Sequence, residues 1–219
     1  MISPAQTRPF LLTGFEPFGQ WSINPSELLV RHFSNQTVGA NERLICEVLP
    51  TVYGAAGQQI SELILKHQPS IVLSLGLSGG RTRICLERFA LNIDDVAVAD
   101  NAANIRRGTP IDPDGPAALK TPAELNLLLQ TLRDNDLDAE ISNHAGTYVC
   151  NHVFYQQLRS LGRLPAASCG LFLHLPMIQE GYAEPAATET LWTLDRLINA
   201  TTLIIEALIA QRDQQNRQV

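Results

Sequence analysis

Cys150 sits near the end of the run Ser142-Asn143-His144-Ala145-Gly146-Thr147-Tyr148-Val149-Cys150-Asn151, a small, turn-forming segment that leads into a helical pattern expected over residues 151–161. A thiol at a helix start lies among backbone N–H groups without intrahelical partners and at the positive end of the helix dipole. Both favour the thiolate, the form that attacks carbonyl carbon. The run Cys169-Gly170-Leu171-Phe172-Leu173-His174 reads as a short apolar strand ending on a histidine, two residues before Pro176. A helix-start cysteine and a strand-end histidine meeting at one edge of an α/β sheet would form the core of a cysteine hydrolase.

The rival residues are weaker. His152 lies two positions past Cys150 and faces another side of the helix. His144 stands on the approach turn and reads as an exposed polar residue. His32 and His67 fall near expected helix C-termini, where a cationic side chain suits the dipole. Cys46, Cys85 and Cys169 read as small hydrophobes. No CxxC spacing is present, so no metal knuckle is expected.

These groups must be positioned by the surrounding elements. Residues 9–15 and 70–75 form apolar runs closed by Gly14 and Gly76, as buried parallel strands do, and residues 43–49 suggest a further strand. Asn24-Pro25-Ser26-Glu27 is a helix start, with Asn as the cap and Pro in the first turn. Helical periodicity covers residues 55–67, 121–134 and 188–212. Residues 84–99 predict one or two strands and residues 139–142 a short one. Residues 101–122 hold four prolines and no periodicity, which predicts a long excursion. Alternating strands and helices indicate an α/β fold, a three-layer α/β/α sandwich around a mostly parallel twisted sheet, with working residues at the strands' carboxyl ends.

The 219 residues suit one compact domain over 1–219, with 1–8 and 213–219 expected to be flexible and fraying expected from residue 211. Hydrophobic residues make up 45% and charged residues 17%, enough for a substantial core. A net charge of −6 argues against a nucleic-acid surface. The N-terminus lacks a signal-peptide pattern, and no apolar run reaches the roughly 20 residues needed to span a bilayer. A soluble cytoplasmic protein without membrane or nucleic-acid partners is the expectation.

The ordered set Thr13-Gly14-Phe15-Glu16-Pro17-Phe18-Gly19, Asn24-Pro25-Ser26, Gly79-Gly80-Arg81, Glu87-Arg88, Asn92-Ile93-Asp94, Asp100-Asn101, Ser142 to Asn151 and His174-Leu175-Pro176 closely resembles the pyroglutamyl peptidase I (pyrrolidone carboxyl peptidase) family of cytosolic cysteine peptidases. The resemblance extends from residue 10 to about 180. It implies a Cys-His-Glu triad at Cys150, His174 and Glu87. It also implies a lactam pocket lined by Phe15 and Phe18 with Tyr148 and Val149 close by, peptides with an N-terminal pyroglutamate as substrates, no cofactor, and assembly as a homo-oligomer (tetramer or dimer). Leu77 occupies a pocket position where many bacterial relatives carry a Gln whose amide helps to bind the lactam. The segment after His174-Leu175-Pro176 and residues 102–122 also depart from the family pattern.

Taken singly, each of these residues is more often structural, and only their ordered set reverses that weighting for Cys150 and His174. For the carboxylate, Asp94 and Asp95 rival Glu87, and spacing does not separate them. Two other functions remain open: another cysteine-dependent amidase of different acyl specificity, and a catalytically silent pyroglutamate-binding module.

Overall fold

The computed structural model describes residues 8–34, 36, 38, 42–181 and 192–217. Its elements are β1 (Phe10–Phe15), α1 (Pro25–Phe33), β2 (Leu44–Leu49), α2 (Tyr53–His67), β3 (Ile71–Leu77), β4 (Ile84–Leu91), β5 (Asp94–Val96), β6 (Arg106–Thr109), β7 (Ala118–Lys120), α3 (Leu125–Arg133), β8 (Ala139–His144), α4 (Val149–Leu161), β9 (Cys169–Leu175) and α5 (Leu194–Arg217). The central sheet runs β2-β1-β3-β9-β4-β7, with β8 also paired to β4. From β2 to β9 the strands are parallel. β4 then runs antiparallel to β9 and β7, and parallel to β8. The sheet is thus mixed but mostly parallel, with β5 and β6 forming a separate hairpin.

Side chains of a strand alternate between faces, and here the alternation divides the core in two. Phe10, Leu12, Leu73, Leu75, Leu171 and Leu173 pack with α1, α3 and α5. Leu11, Phe15, Val72 and Phe172 pack with α2 and α4. Strands buried on both faces read as continuous apolar runs, which is why they are legible in the sequence. The same parity puts Gly76, Cys85, Glu87 and His174 on the α2/α4 face. Beneath α4, the Gln157 amide donates to Val72 O and Leu171 O at 3.2 Å, and its Oε1 accepts from Ser74 at 2.6 Å. Each such bond contributes about 1 kcal/mol net, and leaving any partner unpaired costs more. The arrangement fastens the cysteine helix to β3 and β9.

At the start of α1, Asn24 Oδ1 accepts from the Ser26 N–H at 3.1 Å. Ser26 Oγ in turn accepts from the Phe15 N–H at 2.9 Å, so helix and strand are joined at the β1 end. Only glycine fits at position 14, because a Cβ there would lie 2.5 Å from Ser26 O.

Several expected boundaries move. Helix α4 starts at Val149 instead of residue 151, and α3 starts at Leu125 instead of 121. The excursion contains two short strands, β6 and β7, that its prolines concealed. Residues 188–191 of the expected closing helix lie outside the described residues. The segment from residue 211, where fraying is expected, is helical as far as Arg217, the end of α5. Arg212 pairs with both Glu42 oxygens at 2.7 and 3.0 Å, and Gln211 is buried, so the first two residues of this segment carry tertiary contacts. Arg8, within the segment expected to be flexible, donates to the Gln68, Pro69 and Ala167 carbonyls. The rest of the expected flexible ends, residues 1–7 and 218–219, lies outside the described residues. Among the described residues, no helix is long and apolar enough to cross a membrane.

Candidate active site

Cys150 is the second residue of α4. Tyr148 occupies the cap position and supplies no side-chain hydrogen bond to the first turn. The adjoining Asn151 is fully buried. It accepts from Leu91 N–H at 2.8 Å and donates to Leu91 O and Ile93 O at 2.9 and 3.1 Å, tying the helix start to the end of β4. The sulfur lies over β3 at Gly76, where a Cβ would fall 2.9 Å from Sγ and 2.8 Å from the Phe172 ring. Gly76 is registered opposite His174 of β9. A glycine at this point is what brings the thiol down beside the histidine strand.

His174 Nδ1 lies 2.8 Å from Glu87 Oε1, with Glu87 fully buried and His174 nearly so. The sequence left Glu87, Asp94 and Asp95 as rivals, and the fold separates them. Asp94 is engaged with His152 Nδ1 at 2.9 Å and with Arg106 at 2.7 Å, while Asp95 accepts from the Gly108 N–H at 3.2 Å. His152 packs against Gly57 of α2, away from the thiol, and His144 is exposed, accepting from the Gly146 N–H at 3.1 Å.

Cys150 and His174 open into a cavity of about 340 Å³. Phe15, Phe18, Leu77 and Tyr148 line it, together with Trp21, Asn24, Thr51, Ala145, Gly146 and the Ser78 to Arg81 turn. Phe18 and Tyr148 stack with centroids 6.0 Å apart. Val149, the remaining pocket residue implied by the resemblance, does not line the cavity. As the first residue of α4 its side chain turns inward, fully buried in the apolar cluster that also holds Tyr53 and Phe154. Sequence reasoning gave no role to Trp21, Asn24 or Thr51. Asn24 carries only a capping signature, and Trp21 and Thr51 carry no local signal.

The loop holding the two phenylalanines is tethered from outside. Glu16 Oε1 accepts from Thr51 N–H at 3.1 Å and from Asn101 Nδ2 at 2.9 Å, and Glu16 O accepts from Asn24 Nδ2 and the Thr51 hydroxyl at 3.0 and 3.1 Å. Asp100 accepts from the Tyr53 N–H at 3.1 Å and from Asn104, docking the excursion onto the start of α2. Tyr148 OH donates to Ala99 O at 2.9 Å. The excursion thus braces the cavity wall.

The sequence profile of the pyroglutamyl peptidase family matches residues 8–211. The chain belongs to that family. Membership makes it a hydrolase of the cysteine-peptidase class. A pyrrolidone-carboxylate peptidase from Cupriavidus taiwanensis is 37% identical over 203 residues, covering 92% of this chain and 93% of its own. One from Bacillus licheniformis is 39% identical over 170 residues, covering 78% and 79%. Among solved structures, pyroglutamyl peptidase I from Bacillus amyloliquefaciens superposes with a TM-score of 0.86 at 31% identity, covering 94% of this chain and 98% of that one. Pyrrolidone carboxyl peptidase from Thermococcus litoralis gives 0.89 at 28% identity, covering 95% and 96%.

In this chain the surroundings of the Cys150 thiol work against the helix-start effect. The helix start was expected to favour the Cys150 thiolate. Instead, burial pushes the thiol up to about 12, the Glu87 charge adds to this, and the residue's own N–H opposes it. Desolvation of a partly buried thiol opposes the few N–H dipoles of one helix turn.

The other three cysteines behave alike, since burial also pushes Cys46, Cys85 and Cys169 up to about 12. The folded chain then holds thiol protons that the unfolded chain releases near the ordinary value of 9.0. A raised folded value contributes stability that is intact below the unfolded value and is lost as pH climbs through the folded one. The urea midpoint should therefore fall progressively from about pH 9 towards pH 12, measured with reductant present. A midpoint independent of pH across that window would contradict the buried-thiol assignment.

Proposed function

We propose that the chain is a cysteine exopeptidase that hydrolyses the N-terminal pyroglutamyl residue from peptides through a thioacyl-enzyme intermediate. The observation that carries this reading is one apolar cavity into which Cys150 and His174 both open, with Glu87 2.8 Å behind the imidazole. A pyroglutamyl end has no ammonium group, so Phe15, Phe18 and Leu77 can enclose it. A free amino terminus would bring an unpaired charge into the same enclosure, at a cost of several kcal/mol.

His174 takes the thiol proton as Cys150 Sγ attacks the pyroglutamyl carbonyl, so the thiolate forms with substrate in place. First-turn N–H groups of α4 hold the oxyanion, a contribution commonly about 3 kcal/mol per donor. The tetrahedral species collapses as the imidazolium gives its proton to the departing amine. Water then attacks the thioester with His174 as base, releasing pyroglutamate and restoring the thiol. Glu87 orients the ring and balances the imidazolium. The reaction needs no metal or organic cofactor. The reading takes the enzyme to act in the cytoplasm as a homo-oligomer, both carried by the family resemblance alone.

The test is release of a fluorescent amine from a pyroglutamyl amide by folded, reduced protein, beside the matching prolyl amide, which lacks the lactam carbonyl. Turnover confined to the pyroglutamyl substrate is expected. Equal turnover of both would indicate an amidase of different acyl specificity, and binding of pyroglutamate without turnover would indicate a silent binding module.

A further inference from the structure

We infer that Arg81 is a positioning residue of this site: it supplies the positive charge that offsets buried Glu87 and so makes ionisation of Cys150 feasible. The inference rests on the proposed Cys150, His174 and Glu87 chemistry. Its starting point is charge balance. The reacting state holds a thiolate, an imidazolium and the Glu87 carboxylate, a net negative charge in an enclosed site, and Glu87 already opposes thiolate formation at Cys150. Glu87 Oε2 is buried without a hydrogen-bond partner among the described residues.

Among the described residues, one arginine is paired with this group. Arg81 closes the Ser78 to Arg81 turn between β3 and β4, and its Nη2 lies 3.6 Å from Glu87 Oε1. At that separation the contact is ionic, not a hydrogen bond. The guanidinium is aimed by its neighbours. Nη1 contacts Cys85 Sγ at 2.8 Å, and Nη2 donates to Ser142 Oγ at 3.3 Å. Facing Glu87 are thus His174 from β9, Cys150 from α4 and Arg81. Facing Arg81 are Cys85 from β4 and Glu140 from β8, the latter 3.8 Å away. Glu140 is half exposed and shared with Arg83, so solvent screens its pull, whereas Glu87 is fully buried and feels Arg81 strongly.

The experiment reads the thiol directly and needs no turnover: the rate at which neutral iodoacetamide alkylates Cys150, followed by peptide mass across pH 6–10. Arg81→Gln should slow alkylation at pH 7.5 by about tenfold and move its pH profile upward by about one unit. Arg81→Lys should recover most of the rate, because it restores charge without the guanidinium geometry. As a variant that leaves Arg81 and the fold in place, Glu140→Gln should leave the rate unchanged or raise it. Arg81→Gln within twofold of wild type, no recovery by Arg81→Lys, or slower alkylation in Glu140→Gln would each overturn the inference. A wild type that is alkylated normally but hydrolyses no pyroglutamyl amide would instead count against the proposed function and leave the Arg81 comparison readable.

Discussion

Cys150→Ser is expected to lower kcat for a pyroglutamyl amide by about 10³-fold or more while the protein remains folded. The thiol lies close over the Gly76 backbone, and the hydroxymethyl group of serine is slightly smaller, so it enters without steric cost. What disappears is nucleophilicity. A serine hydroxyl is a far weaker acid than a thiol, and burial already pushes the Cys150 thiol up to about 12. His174 would have to remove a much more tightly held proton in the same enclosure. Cys46→Ser and Cys169→Ser provide the contrast, since neither residue lines the cavity and any effect should appear in stability. Comparable loss of activity from all of these variants, each folded, would remove Cys150 as the nucleophile.

Glu87→Gln should lower kcat by about 10²- to 10⁴-fold with KM changed only a few-fold, by analogy with triad carboxylates in general. A carboxylate only accepts, so it holds the hydrogen on Nδ1 of His174 and leaves Nε2 to serve as the base. Glutamine can turn its NH₂ towards Nδ1 at the same 2.8 Å contact, which selects the other tautomer and takes the anion from beside the imidazolium. The thiol should respond in the opposite direction. Because the Glu87 charge raises the Cys150 thiol, its removal favours the thiolate, and alkylation above pH 9 should be faster than in wild type. Slow turnover beside a more reactive thiol separates the orientation of the base from activation of the nucleophile. Parallel loss of both would assign Glu87 a mainly structural role.

What the sequence makes legible follows from local physics. The buried strands are continuous apolar runs, so β1, β3 and β9 can be read directly, as can the Asn24-Pro25 helix start. Features decided by distant partners are not legible. Glu87 and Asp94 are equivalent as letters, and only the fold commits Asp94 to His152 and Arg106. The pairing of Arg212 with Glu42, 170 positions away, has no local signal either. The thiol illustrates the same limit at one atom: the helix start is a local signal favouring its ionisation, and the burial that opposes it belongs to the assembled fold. Val149 was implied as a pocket neighbour through its place in the motif, but adjacency in sequence did not fix which way the first turn of α4 faces.

The tether at Glu16 bears on redesign. Replacing Phe15 and Phe18 to admit a different acyl group would alter the lining and leave its mounting unchanged, because the loop's position is set by Thr51 at the end of β2 and by Asn101 in the excursion. The portable unit is therefore a composite of three stretches, around residues 15–24, 51 and 100–101, each distant from the others along the chain. A graft of the first alone into another scaffold would arrive without the frame that gives its aromatic rings their spacing.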